Sequence, residues 1–150
     1  LEARDEPIVF VFFGDHKPWM GNGNSVYTEI GVDLDVSTLE GFYNYYATPY
    51  VIYANEAARE LLGSDFAGDG GDFSPCFLMA RLFDECGWEG PGLMQLQREM
   101  REVSPLMSSN GWRMQDGQLT AALEGAAEDE NNRYLRAQYY IETHLKEDAS

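Results

Sequence analysis

Ile8-Val9-Phe10-Val11-Phe12-Phe13-Gly14-Asp15-His16 is where the chain first commits to regular structure. Six apolar residues in succession, each β-branched or aromatic, leave no polar face. Such a run predicts a strand buried on both sides, the habit of a central strand in a parallel sheet. Gly14 breaks the run, and a hard oxygen ligand and an imidazole follow at once. In open α/β sheets, ligands bind just outside the carboxyl ends of the strands. Asp15 and His16 are therefore a candidate metal site. Along a regular strand, neighbouring side chains point to opposite faces and cannot share one ion. Past the end of the strand, a turn at glycine lets the two converge. The plainer alternative makes Asp15 a turn cap and His16 an exposed loop residue.

The residues that follow extend the same two readings. Lys17 is placed to contact an anionic group held at a metal, and Trp19 to wall the site. Otherwise they are a surface lysine and a partly buried indole. Gly21-Asn22-Gly23-Asn24 reads as loop, with a short amphipathic piece over Ser25 to Ile30. Ser37-x-x-Glu40 has the form of a capping box and predicts a helix running to Tyr46. Thr48-Pro49 ends it, because the residue before proline is pushed towards extended geometry. Pro49 to Asn55 (Pro-Tyr-Val-Ile-Tyr-Ala-Asn) is a second strand, apolar on both faces, with the proline confined to its first position. The tyrosines 43, 45, 46, 50 and 53 fit core packing at this helix-to-strand junction better than a sugar-stacking surface.

Gly63 to Asp72 reads as an acidic, solvated loop. Asp65, Asp69 and Asp72 lack the spacing of a helix-loop-helix calcium site. Ser74-Pro75 predicts a cap with proline in the first turn of a helix that ends at Gly87. A second helix is expected over Pro91 to Val103, with Leu93, Leu96, Met100 and Val103 on one face and Pro105 ending it. Met107 to Thr120 suggests a short hairpin with Trp112 and Met114 turned inward. A last helix from near Glu128 carries Tyr134, Ala137, Tyr140 or Ile141, and His144 along one side, then frays over Lys146 to Ser150. His144 has no acid at ligand spacing and reads as structural.

The totals narrow the field. A chain of 150 residues, 44% apolar and 13% aromatic, is sized for a single domain over residues 1–150 with a real core. A net charge of −16, from 26 acids against 10 bases, argues against a nucleic-acid partner. It equally disfavours non-specific adhesion to an anionic membrane, and it suits a bound cation. Cys76 and Cys86 form no disulfide framework. Ten residues apart on one helix, they would sit about 15 Å apart and read as small core residues. No stretch reaches the length of a membrane span or has the form of a signal peptide. Nucleophile-elbow, phosphate-loop, Cys-x-x-Cys and His-Glu-x-x-His patterns are all missing from the sequence. Two strands cannot make a stable open sheet, so the remaining strands are expected in a preceding amino-terminal portion.

Taken in order, these segments resemble a known family. Pro7-Ile-Val-Phe-Val-Phe-Phe-Gly-Asp-His-Lys-Pro18 is similar to the late metal-binding strand of the alkaline phosphatase/sulfatase superfamily, in particular its lipoteichoic acid synthase branch of phosphoglycerol transferases. Tyr46-Ala-Thr-Pro-Tyr-Val-Ile-Tyr-Ala-Asn55 resembles that branch's next strand. Phe73 to Gly87 and Leu93 to Leu106 resemble its following helices, and Arg133 to Leu145, with Gln138-Tyr139, its closing helix.

The resemblance implies an α/β fold that is the carboxyl-terminal portion of an alkaline phosphatase-like α/β/α sandwich. It implies a divalent metal, manganese first and magnesium, zinc or calcium otherwise, held partly by Asp15 and His16. A carboxylate with an imidazole suits manganese or zinc better than calcium. It also implies an anionic phospholipid or a phosphate or sulfate ester as substrate, and a parent enzyme on the outer face of a bacterial membrane. The family's nucleophile and other ligands lie upstream of this strand. The expectation is thus a fragment that lacks the amino-terminal half of its own domain and is inactive alone. A sulfatase fragment and a non-catalytic α/β interaction domain remain the alternatives.

Overall fold

The computed structural model describes residues 1–144 of the chain. It is mixed α/β, with six α-helices and two small antiparallel sheets among the described residues. No helix among them is long and apolar enough to cross a membrane. Backbone contacts gather into two compact units, Leu1–Ala67 and Gly68–Ser150.

In the amino-terminal unit, β1 (Val9–Phe13) pairs with β2 (Tyr50–Ala54). The pairing is antiparallel, from Val9 opposite Ala54 to Phe13 opposite Tyr50. This corrects the expectation of a doubly buried strand in a parallel sheet. Val9 and Val11 are half-buried, but Phe10 and Phe12 are exposed, Phe12 by 58%, and Val51 opposite it by 52%. An all-apolar run reports only that both faces tolerate dry surroundings. It does not say whether one or two layers cover them, nor which way the partner runs.

The same unit contains three helices: α1 (Ser25–Glu29), α2 (Leu39–Tyr46) and α3 (Glu56–Leu62), the last of them against β2. The cap of α2 lies one residue beyond the expected box. Thr38 accepts a hydrogen bond from the Gly41 amide at 3.0 Å, while the Ser37 hydroxyl donates to Asp35 at 2.6 Å. The loop before the helix dictates this choice. A Cβ at Gly41 would lie 2.2 Å from the Asp35 carbonyl oxygen, so only glycine lets that loop close on the first turn.

Helix α3 went unread in the sequence, and Asn55 creates it. The side chain is fully buried and fully bonded. Its Oδ1 accepts from the amides of Ala58 (3.1 Å) and Ile8 (2.9 Å), and its Nδ2 donates to the carbonyls of Arg4 (3.0 Å) and Glu6 (2.9 Å). One side chain thus caps a helix and ties the amino-terminal segment to the end of β2.

The carboxyl-terminal unit contains α4 (Leu78–Glu85), α5 (Gly92–Val103), a hairpin of β3 (Arg113–Gln115) and β4 (Gln118–Thr120), and α6 (Ala126–His144). Its core is Phe77, Met100, Leu123, Ala127 and Tyr134, with Leu93, Leu96 and Val103 packed against it. The expected apolar face of α5 is therefore the buried one. Asp84 on α4 pairs with Arg98 and Arg101 on α5, and Arg133 on α6 reaches Glu99 at 2.5 Å. Within the hairpin Met114 is buried and Trp112 half-buried.

Some details differ from expectation. Ser74 has the backbone of a cap, yet its hydroxyl accepts from the Met107 amide at 2.7 Å, and the first turn is a 3-10 turn over Pro75–Phe77. A loop that needs pairing has taken the side chain the helix would otherwise use. Cys86 is buried as expected, and desolvation pushes its thiol pKa up, but Cys76 is exposed. On α6, Tyr134 is buried while Tyr140 and His144 lie on the surface, their rings stacked at 4.1 Å. The expected fraying over Lys146 to Ser150 lies outside the described residues.

Candidate functional site

The turn that follows β1 carries all four sequence-predicted site residues. Gly14 is its hinge, for a steric reason. A Cβ there would sit 2.9 Å from Thr48 Cβ, so the last pair of the ribbon closes only over glycine. The Gly14 amide donates to the Pro49 carbonyl at 3.0 Å, and its carbonyl accepts from the Thr48 hydroxyl at 2.6 Å. Beyond that point the backbone leaves the strand.

Asp15 and His16 then meet. Asp15 Oδ2 lies 3.4 Å from His16 Nε2, and Asp15 Oδ1 accepts from the His16 amide at 2.9 Å. Both side chains are 78% exposed, so the pair is open to solvent. The imidazole is oriented from its other side, with Nδ1 3.1 Å from the Lys17 carbonyl oxygen. A carbonyl can only accept, which assigns a proton to Nδ1. Nε2 then presents a lone pair to the carboxylate. Two acceptors facing each other in this way can share a donor from solvent or a metal ion.

The spacing suits a metal. Two ligands about 2.1 Å from one ion, at a tetrahedral angle, lie about 3.4 Å apart. A carboxylate oxygen with a neutral imidazole whose second nitrogen donates to a carbonyl is a donor set that manganese and zinc accept. It supplies two ligands. Among the described residues, no group of three or more His, Cys, Asp or Glu side chains is arranged to hold a metal.

Lys17 and Trp19 take other positions. The Lys17 ammonium donates to the Asn44 carbonyl at 2.5 Å, in the last turn of α2, where a cation satisfies an orphan carbonyl and complements the helix dipole. Trp19 is 68% exposed and stands in solvent. The Pro18 carbonyl accepts from the Tyr27 hydroxyl at 3.0 Å, and the Met20 amide donates to Asn24 Oδ1 at 3.1 Å. The turn is thus pinned along its whole length. Sequence reasoning missed four of those pins: Thr48, Tyr27, Asn24 and the Asn44 carbonyl. Thr48 carried a signal, as the only hydroxyl residue between the last helical turn and the proline that opens β2.

Two aspartates of the acidic loop bond locally. Asp65 accepts from the Ala67 amide at 3.0 Å and Asp69 from the Gly71 amide at 2.8 Å, the short turns of a solvated loop. His144 bonds within its own helix, its Nδ1 lying 3.0 Å from the Tyr140 carbonyl oxygen. Compared with known proteins, the chain matches no family model, no curated protein and no solved structure.

Proposed function

We propose that Asp15 and His16 are two ligands of a divalent metal, manganese or zinc, and that the chain is the carboxyl-terminal part of a metal-dependent phosphoglycerol transferase of the lipoteichoic acid synthase kind. In that reading its fold belongs to an alkaline phosphatase-like α/β/α sandwich, and its substrate is an anionic phospholipid or related phosphodiester at the outer face of a bacterial membrane. The observation that carries it is the 3.4 Å approach of Asp15 Oδ2 to His16 Nε2, in solvent, with Nδ1 committed to the Lys17 carbonyl. The ordered resemblance of the two strands and three helices supports the choice of family.

When bound, such an ion neutralises charge on a transferring phosphoryl group and activates a nucleophile. Asp15 and His16 bind and orient; no residue of this chain is assigned as the nucleophile. Two donors leave most of a coordination sphere to water, so binding by the chain alone is weak.

The test is paramagnetic broadening by Mn²⁺. The chain has two histidines, His16 and His144, and both are exposed. Selective broadening of the His16 ring resonances, lost in Asp15→Asn, is the expected result. Equal broadening of both rings would overturn the ligand assignment. With Mn²⁺ and phosphatidylglycerol, the chain alone is expected to show no turnover. Turnover that Asp15→Ala abolishes would place the nucleophile within these residues after all. Hydrolysis of a sulfate ester, but not of a phosphodiester, by an enzyme containing this chain would favour the sulfatase alternative.

A further inference from the structure

We infer that the outer edge of β1 pairs with the same edge of a second copy of this chain, antiparallel and centred on Val11, to make a four-stranded sheet across a two-fold axis. The inference is independent of the metal reading.

The backbone bonds at the two ends of the ribbon fix which groups of β1 are used. The Gly14 amide donates to the Pro49 carbonyl and the Asn55 amide to the Ile8 carbonyl, both at 3.0 Å. Bonded pairs in an antiparallel ribbon recur at every second residue, so Phe10 with Tyr53 and Phe12 with Val51 are the bonded pairs between them. The amides and carbonyls of Val9, Val11 and Phe13 therefore point away from β2. Among the described residues, no hydrogen bond reaches these groups, and the sheet ends at β1 on that side. The other edge differs. The Arg59 guanidinium takes the Ala54 carbonyl at 2.5 Å, and α3 lies against that strand.

Natural edges are guarded by lysine, proline, a bulge or inward charge. From Ile8 to Phe13 there is neither charge nor proline, and the pairing with β2 runs without a bulge. Phe10 and Phe12 lie side by side on the exposed face.

The strand is also self-complementary. Antiparallel pairing centred on Val11 sets Val9 opposite Phe13 of the second copy and Val11 opposite its own equivalent. Every outward amide and carbonyl of both strands then finds a partner. Phe10 faces Phe12 of the second copy at a non-bonded position, where side chains come closest. The flanks select the antiparallel sense. Residues 1–6 carry three acids and one base, whereas Asp15 and Lys17 cancel after the strand. Antiparallel pairing sets the acidic end against the neutral one; parallel pairing would set acid against acid. The contact is isologous, so it closes on two chains. A single seam of five-residue strands falls below the roughly 1,200 Å² of a standard interface, so association depends on concentration.

The experiment is sedimentation equilibrium of the 150-residue chain in about 0.15 M salt, which screens the −16 charge of each copy. The mean mass is expected to rise from one chain towards two, with a midpoint on the order of 0.1 mM. Amide exchange at Val9, Val11 and Phe13 should slow as concentration rises, while Phe10 and Phe12, already bonded to β2, stay protected throughout. Phe10→Lys with Phe12→Lys puts like charges opposite each other twice and should raise the midpoint about tenfold or more. Phe10→Lys with Phe12→Glu removes the same two rings but sets opposite charges across the seam, and should associate more tightly than the double lysine variant.

A parent chain that stays monomeric to about 1 mM, its outward β1 amides exchanging freely, overturns the inference. So does association that the double lysine variant leaves unchanged. A monomeric enzyme containing this chain, with those amides protected, would give the edge to a strand of the same polypeptide and overturn the second-copy assignment. Should the double lysine variant lose the β1–β2 amide pattern, a mixture of labelled and unlabelled parent chain decides. An interchain contact between the Phe10 and Phe12 α-protons supports the register, and its absence in the associated sample refutes it.

Discussion

The two units of this chain are built on different physics. The carboxyl-terminal unit is organised by apolar burial, with Phe77, Met100 and Tyr134 essentially without exposed surface. The amino-terminal unit is organised by polar ties: its largest fully buried side chain is an asparagine, Asn55, and Thr38, Thr48 and Lys17 each hold a backbone group. Apolar burial is non-directional and tolerates changes of shape that keep volume. A buried hydrogen-bonding side chain has no such latitude, because any replacement strands the groups it served. The directional unit is the one that carries the candidate metal pair, where placement to a fraction of an ångström matters.

That contrast is open to direct attack by measuring stability unit by unit with native-state hydrogen exchange. The largest effect expected is Phe77→Ala, which deletes a ring from the middle of the apolar core and lowers the protection of α5 and α6 by about 4 kcal/mol. Next comes Asn55→Leu, close in volume but without polar atoms. Losing the α3 cap and leaving the Ile8 amide and two carbonyls unpaired costs about 3 kcal/mol, read at the amides of β1, β2 and α3. Met100→Leu, a swap of equally buried and similar volume, is expected to cost less than about 1.5 kcal/mol. If Asn55→Leu proved as mild as Met100→Leu, the distinction between the units would fail.

The smallest expected effect is a titration. The Ser37 hydroxyl, and then its amide, hold the Asp35 carboxyl below the ordinary carboxylate range. The folded value is thus lower than the unfolded one. The associated stabilisation is present above the unfolded value of about 3.9 and is lost as the pH falls through the lower folded one. Ser37→Ala should raise the Asp35 titration, followed by the chemical shift of its carboxyl carbon, while leaving stability near neutral pH almost unchanged at this exposed site. An unmoved titration would show that the hydroxyl is not the cause.

Elements driven by apolar periodicity were legible in the sequence. Helix α5 could be read from Leu93, Leu96, Met100 and Val103, because a helix that buries one stripe must repeat it every three or four residues. Helix α3 was not. It buries little beyond Ala58, leaves Leu61 70% exposed, and exists because Asn55 caps it and Gly63 ends it. The signal was present as asparagine before Glu-Ala-Ala, but it lay hidden behind the apolar strand that precedes it. The caps show the same limit. Ser37 and Ser74 were read as capping their helices, yet both hydroxyls bond elsewhere, because a short polar side chain takes whichever partner the tertiary structure brings nearest.

Composition and order alone settled that this chain has an apolar strand followed by glycine, an acid and a histidine, a second apolar strand, and a strongly acidic composition. Those properties are local or additive, so the residues suffice to read them. The antiparallel sense of the ribbon, the exposure of its Phe10–Phe12 face, the diversion of Lys17 to a helix end and the meeting of Asp15 with His16 were decided only in three dimensions. The pairing of the ribbon and the place of Lys17 depend on which backbone group more than twenty positions away comes within about 3 Å, whereas Asp15 meets His16 through the local turn that follows β1.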